Sequence, residues 1–342
     1  MYGKIAVAVV VGLVGWIYKS LKPPPPKICG RPGGPPVTTP RFRLRDGRYL
    51  SYKVRGVPVE EAKHKIIVFH GFNGSKDMDL PYPQELIEEL KVCFVTFDRP
   101  GYGESDPNPN RGPKAEAQDV EELADHLNLG SRFYIIGLSV GGYVAWSCLM
   151  YIPHRLAGAS LVVPFCNYFW PGLPTKVLNK AFKRLPVRDQ WSFRIAHHFP
   201  WLFYWFATQK WIPTFKLEVK EGMFTKRDLE VLATFAAQNP DDSKLVPKPT
   251  QQGEFYCLHQ DLLCGYGKWE MGPLDIKNPF RNNEGRVHIW VGGEDRVIPA
   301  DVLRYIAEKL PWIKYHELAG KGHFFFHYPE LCEEFLREIL SE

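Results

Sequence analysis

Five short apolar runs, Lys65–Phe69, Val92–Phe97, Phe133–Ile136, Leu161–Val163 and Val287–Val291, recur along the chain, with helical patterns between several of them. Runs of this length that do not alternate with polar residues fit strands buried on both faces. Gln84–Leu90, Lys114–Leu127 and Tyr143–Tyr151 carry the helical spacing. Parallel strands need long crossovers, and those crossovers pack as helices on the sheet faces. The alternation therefore predicts an α/β chain whose sheet is mostly parallel and flanked by helices. Ahead of it, RFRLRDGRYLSYKVR (Arg41–Arg55) predicts a hairpin turning at Asp46-Gly47. A short strand over Lys314–Leu318 and a helix over about Pro329–Leu340 close the pattern.

The rhythm breaks between Pro164 and Glu284. That stretch lacks clear strands and gathers aromatic residues: Tyr168, Phe169, Trp170, Trp191, Phe193, Phe199, Trp201, Phe203, Tyr204, Trp205, Phe206 and Trp211. It predicts a helical insertion, residues 164–284, that caps the carboxyl edge of the sheet. The core is then split into residues 41–163 and 285–342. Some of the aromatics must pack the cap itself; others are expected to line a pocket for an apolar ligand.

Composition narrows the classes further. A chain of 342 residues with 45% hydrophobic and 24% charged residues and mean hydropathy −0.25 is neither disordered nor a polytopic membrane protein. The net charge of +5 comes without a basic helix or an Arg-rich tract. It suits an anionic membrane surface better than nucleic acid. Seven cysteines, odd in number, scattered and without a CxxC pair, argue against a disulfide framework or a zinc site and for a reducing compartment.

Between Lys4 and Lys19 runs IAVAVVVGLVGWIY, uncharged and apolar. Alone it makes about 21 Å of helix, short of a roughly 30 Å hydrocarbon core. Met1, Tyr2 and snorkelling Lys4 and Lys19 extend it, with Trp16 and Tyr18 at the interface. A secretory signal peptide is the rival reading, but bulky residues and then Pro23–Pro26 follow instead of a small-x-small cleavage site. Residues 1–22 thus read as a single-pass membrane anchor and residues 23–40 as an extended proline-rich linker. Lys19, Lys22, Lys27 and Arg31 outweigh Lys4, which places the main domain in the cytosol, with the endoplasmic reticulum as a fitting membrane. The glycosylation-type match Asn73-Gly74-Ser75 falls in an expected active-site loop and gives no support to a lumenal domain.

Gly137-Leu138-Ser139-Val140-Gly141 follows the apolar FYII and precedes a helix. A serine on such a turn is exposed at the top of a strand, and the flanking glycines let strand and helix approach. A serine nucleophile needs a base, a group to orient that base, and donors for the oxyanion. Asp295, in GGEDRVIP after VHIWV, and His323, in AGKGHFFF, stand where later strands end; Glu294 is the rival orienter and His327 the rival base. His70-Gly71-Phe72 follows KIIVF, so the Phe72 backbone N–H can face the Val140 N–H as a pair of oxyanion donors.

With HGFNGS, DRPGYGES (Asp98–Ser105), GLSVGG, GEDRVIP and GKGH in this order, the chain resembles the α/β-hydrolase superfamily, in its serine hydrolase branch, over about residues 41–342 apart from a divergent cap. It is similar to membrane-anchored members of plant type. The resemblance implies the α/β-hydrolase fold, Ser139 as nucleophile, Asp295 as orienter and His323 as base. His70 and Gly71 would belong to the oxyanion loop, and DRPGYGES, Arg99 included, would serve a turn rather than catalysis. Serine at the elbow excludes the dehalogenase and epoxide hydrolase branches, which need aspartate there. The function expected is hydrolysis of a carboxylic ester, or a thioester, of apolar or lipid-like character, with no metal or organic cofactor. A lyase or acyltransferase using the same triad, and a non-catalytic ligand receptor on the same scaffold, are the alternatives.

Other signals take an ordinary reading. Gly101–Ser105 lacks the third glycine of a dinucleotide fingerprint. His197-His198, and His259 between Cys257 and Cys264, lack metal-ligand spacing, and the basic Lys176–Arg188 stretch reads as a solvated helix face. No protein partner is legible.

Overall fold

A computed structural model describes residues 2–209, 224–238, 248–280 and 285–341. Its centre is an eight-stranded sheet. The strands are β1 (Arg41–Arg43), β2 (Tyr49–Gly56), β3 (His64–Phe69), β4 (Val92–Phe97), β5 (Phe133–Leu138), β6 (Leu156–Val162), β7 (Val287–Gly292) and β8 (Ile313–Leu318). Their order across the sheet is β1-β2-β4-β3-β5-β6-β7-β8. Among the described strands, β1–β2 and β2–β4 pair antiparallel and the rest run parallel, so one edge of the sheet collects their carboxyl ends.

The hairpin turns at the expected place, with Arg43 opposite Tyr49 and Gly47 at φ +91°. β6 begins at Leu156, five residues before the apolar run that announces it. Its first half, Leu-Ala-Gly-Ala-Ser, is built of small residues because neighbouring side chains lean over it. A Cβ on Gly158 would lie 2.9 Å from the Tyr134 ring. Low hydrophobicity hides that half of the strand.

Helices α2 (Gln84–Glu89), α3 (Pro113–His126), α4 (Gly142–Tyr151), α10 (Ala300–Lys309) and α11 (Pro329–Leu340) flank the sheet. Between β6 and β7 the described residues form α5 (Thr175–Phe182), α6 (Val187–His198), α7 (Pro200–Thr208), α8 (Lys226–Gln238) and α9 (Leu258–Tyr266). Trp211 and Glu284 lie outside the described residues. The expected division of the aromatics is lopsided. Trp170, Phe203 and Phe206 are buried in packing, whereas Trp191, Phe199 and Trp201 are exposed. The seven cysteines are buried free thiols. His197 stacks on Phe169 with ring centroids 4.2 Å apart.

α1 (Tyr2–Leu21) is a 20-residue exposed helix, about 30 Å long. It contains an 18-residue apolar window of mean hydropathy 1.6, long enough to cross a hydrocarbon core. The stretch after it, read from the sequence as an extended linker, is tied to the body by hydrogen bonds. The Tyr256 hydroxyl donates to Pro24 O at 2.9 Å, and the Lys27 N–H donates to Gln252 O at 3.0 Å. Cys29 is 2% exposed and its N–H donates to Gln252 Oε1. Thr38 and Thr39 both donate to the buried Glu104 carboxylate through N–H and hydroxyl. Prolines suit this role because an extended segment docked by scattered bonds needs few donors of its own.

Candidate active site

The turn after β5 sets the first residue. Ser139 has φ +49°, a left-handed backbone that costs a non-glycine residue energy and lifts its side chain off the sheet edge. The flanking glycines are required by space. A Cβ on Gly137 would sit 2.7 Å from Ala145 Cβ, and one on Gly141 would sit 2.4 Å from Phe69 O. The helix α4 can start so close to the strand only because both lack one.

Parallel pairing β6–β7–β8 carries the next two residues to the same edge. His323 Nε2 lies 3.0 Å from Ser139 Oγ, and His323 Nδ1 lies 2.8 Å from Asp295 Oδ2. The other oxygen of Asp295 accepts N–H bonds from Val297 (2.7 Å) and Ile298 (3.0 Å), which fixes the carboxylate's rotation. His323 is 4% exposed, so its two bonds work largely out of water. Glu294, the rival orienter, is exposed one residue earlier. His327, the rival base, lies a turn further on with its ring against Phe326. Burial, and then the neighbouring His323, push its pKa down to about 4.

Such a set can move a proton. As the serine oxygen attacks a carbonyl, imidazole Nε2 takes the hydroxyl proton, and a carboxylate on Nδ1 stabilises the imidazolium.

The loop after β3 faces this group. A Cβ on Gly71 would be 3.4 Å from Ser139 Cβ, in van der Waals contact, so the loop passes directly beside the serine. His70 does not face the reaction. It is 1% exposed, its Nδ1 lies 2.9 Å from Gly71 O, and its Nε2 accepts the Arg99 N–H at 3.1 Å. Burial, and then the Arg99 charge, hold its pKa well below the ordinary histidine value, so it stays neutral.

A cavity of about 1440 Å³ opens over Ser139, His323 and Asp295. Of the eleven described aromatics of the cap stretch named above, Tyr168 and Phe193 line it; Phe72, Phe224, Phe324 and Phe326 supply much of the remaining aromatic wall. Lys180, Arg184 and Arg188 reach its rim, where Arg184 pairs with Asp301 at 3.1 Å and Arg188 with Asp189 at 3.1 Å.

A family model described as "Alpha/beta hydrolase family" matches residues 66–335. The chain belongs to the alpha/beta hydrolase family. Among curated members of that family's kin, "Abhydrolase domain-containing protein abhd-5.2" of Caenorhabditis elegans is 22% identical over 83% of this chain and 60% of its own length. "Monoacylglycerol lipase ABHD6" of Mus musculus is 28% identical over 36% of this chain and 37% of its own. This alpha/beta hydrolase chain thus spans less than two thirds of either relative. Solved structures agree on the fold. An alpha/beta hydrolase fold protein from Chitinophaga pinensis matches with TM-score 0.59 at 17% identity, covering 89% of this chain and 98% of that one. A thermophilic esterase from Thermogutta terrifontis matches with TM-score 0.53 at 20% identity, covering 88% and 97%.

The sequence reading gave Asp98 and Arg99 only to a turn and missed Lys76, Asp228 and Asp261, which brace the site with them. Asp228, on α8, accepts the Phe324 N–H at 2.9 Å and so ties the insertion to the loop of His323. Lys76 is 1% exposed and donates to the buried Asp98 at 2.8 Å. Arg99 and Asp261 form a buried pair across 162 positions. No local pattern marks Lys76, Asp228 or Asp261, and DRPGYGES does not name the partners of Asp98 and Arg99, since each pair forms only on folding.

Proposed function

We propose that this alpha/beta hydrolase is a serine ester hydrolase with Ser139 as nucleophile, His323 as general base and acid, and Asp295 as the orienter of the imidazole. The carrying observation is the unbroken chain Ser139 Oγ–His323 Nε2–His323 Nδ1–Asp295 Oδ2, with steps of 3.0 and 2.8 Å, at the floor of a large cavity. Ser139 Oγ attacks the ester carbonyl carbon while its proton passes to His323 Nε2. The carbonyl oxygen becomes an oxyanion facing the Phe72 and Val140 N–H groups. His323 then returns the proton to the leaving alcohol, and the Ser139 acyl ester remains. Water attacks that ester, again losing its proton to His323, and releases the acid and the free serine.

The cavity walls favour an ester with a long apolar part. A mouse relative bears the name monoacylglycerol lipase, and a structural neighbour that of esterase, which supports an ester substrate of this class. α1 supplies the membrane association, with the catalytic body on the side of Lys19, Lys22, Lys27 and Arg31, the cytosol.

Fluorophosphonate labelling and turnover of p-nitrophenyl butyrate test the reading. Ser139→Ala is expected to lose labelling and at least about 10³-fold in kcat while keeping its near-ultraviolet circular dichroism, because triad members act as a unit. Labelling retained in that variant would move the nucleophile elsewhere.

A further inference from the structure

We propose that Arg99 and Asp261 are positioning residues of the oxyanion hole, and that through them α9 of the insertion sets the direction of the Phe72 N–H; this rests on the Ser139 reading above. Arg99 follows β4 and is fully buried, as is the carboxylate of Asp261 on α9. The two meet as a fork, Nη1 to Oδ1 at 2.5 Å and Nη2 to Oδ2 at 2.7 Å. The acid beside Arg99 in sequence cannot serve it, because Asp98 is taken by the Lys76 ammonium and by the N–H groups of Lys76 and Glu104.

Of the rest of the guanidinium, Nη1 also donates to the Tyr143 hydroxyl at 3.3 Å, and the other two nitrogens point at the oxyanion loop. Nε donates to His70 O at 3.2 Å and Nη2 to Gly71 O at 3.1 Å. The Arg99 N–H donates to His70 Nε2, which leaves the ring proton on Nδ1, and that nitrogen donates to Gly71 O at 2.9 Å. The Gly74 N–H is a third donor to the same carbonyl, at 3.3 Å. A planar trans peptide carries its C=O and N–H on opposite sides. Three donors holding the Gly71 carbonyl on the Arg99 side therefore turn the Phe72 N–H to the other side, the side of Ser139.

Asp261 is the hub that holds Arg99 in this pose. It also accepts from Arg111 Nη2 at 2.5 Å and from the Tyr102 hydroxyl at 2.5 Å. Arg111 is shared with the buried Glu116, so the two guanidiniums are matched by two carboxylates. Replacing Asp261 by a neutral amide leaves that balance one negative charge short and frees Arg99 to turn away from Gly71.

Asp261→Asn and Arg99→Lys test the proposal in the full-length protein. Lysine keeps the charge but cannot make the fork and the two carbonyl bonds together. In both variants kcat for p-nitrophenyl butyrate, counted per fluorophosphonate-titrated serine, is expected to fall on the order of 10- to 100-fold, with KM within twofold. Affinity for an alkyl boronic acid, whose tetrahedral serine adduct presents an oxygen to the same donors, should fall by the same factor as kcat/KM. Counting per titrated serine removes loss from unfolded molecules, and Arg99→Lys carries the test should Asp261→Asn not fold. Wild-type kcat per titrated serine in a folded variant overturns the positioning role alone. A wild-type protein that neither labels nor hydrolyses the ester overturns the Ser139 reading, and this proposal with it.

Discussion

At the scale of single residues, position by one place decides chemistry. Asp295 and its neighbour Glu294 carry the same group, yet only Asp295 turns inward, because its outer oxygen is captured by the Val297 and Ile298 N–H groups. That capture leaves one oxygen for His323. Asp295→Asn should therefore lower kcat on the order of 10³- to 10⁴-fold, nearly as much as His323→Ala, since an amide presents a donor to the wrong tautomer. Glu294→Gln, at an exposed site, should change kcat less than about threefold. A pH-controlled kcat series on the three variants checks the ranking, and a reversal between Asp295 and Glu294 would remove Asp295 from the triad.

At the scale of elements, two pieces have clear consequences. His288 on β7 is fully buried beside His316 on β8, its Nδ1 3.0 Å from His316 Nε2. Burial first, then His316, Lys314 and Arg286, push its pKa from 6.5 down to about 3. The unfolded chain then binds a proton that the folded chain refuses between those values. This contribution is whole above about pH 6.5 and is lost as the pH falls toward 3. The Tm of the wild type should drop between pH 7 and 4.5 more steeply than that of His288→Gln; parallel slopes would clear the pair of any role. The segment 23–40 is the second piece. Removal of residues 1–21 should leave activity and Tm near wild type, because the bonds to Gln252, Tyr256 and Glu104 begin only at Pro24. Removal of residues 1–40 uncovers the Glu104 carboxylate and should lower Tm by several degrees or more. Equal Tm values for the two truncations would show that the bonds made by the segment contribute nothing to stability.

At the scale of the whole molecule, the cavity lies between sheet edge and insertion, and both contribute walls. With p-nitrophenyl esters from acetate to decanoate below their micelle concentrations, kcat/KM should rise with chain length. Each methylene that leaves water adds at most about 0.8 kcal/mol, roughly fourfold per carbon. A steep fall beyond acetate would mean that the described cavity is not where the acyl chain goes, and the apolar-ester reading would fail.

The α/β alternation, the hairpin at Asp46-Gly47, the elbow at Ser139 and the order in which serine, acid and histidine follow their strands are all legible in the chain before it folds. Those are local or periodic properties: a buried strand needs an apolar run, and a tight strand-to-helix turn needs glycines at Gly137 and Gly141. Pairing of β5, β6, β7 and β8 then brings Ser139, Asp295 and His323 together, 156 and 28 positions apart in turn. Folding settled the rest. It docked the proline-rich stretch on Gln252 and Glu104, left Trp191, Phe199 and Trp201 outside the cavity, and joined Arg99 to Asp261 and Asp228 to the loop of His323. A buried charge has no preferred sequence distance to its partner. Its burial is tolerable only because folding delivers the opposite charge from elsewhere in the chain.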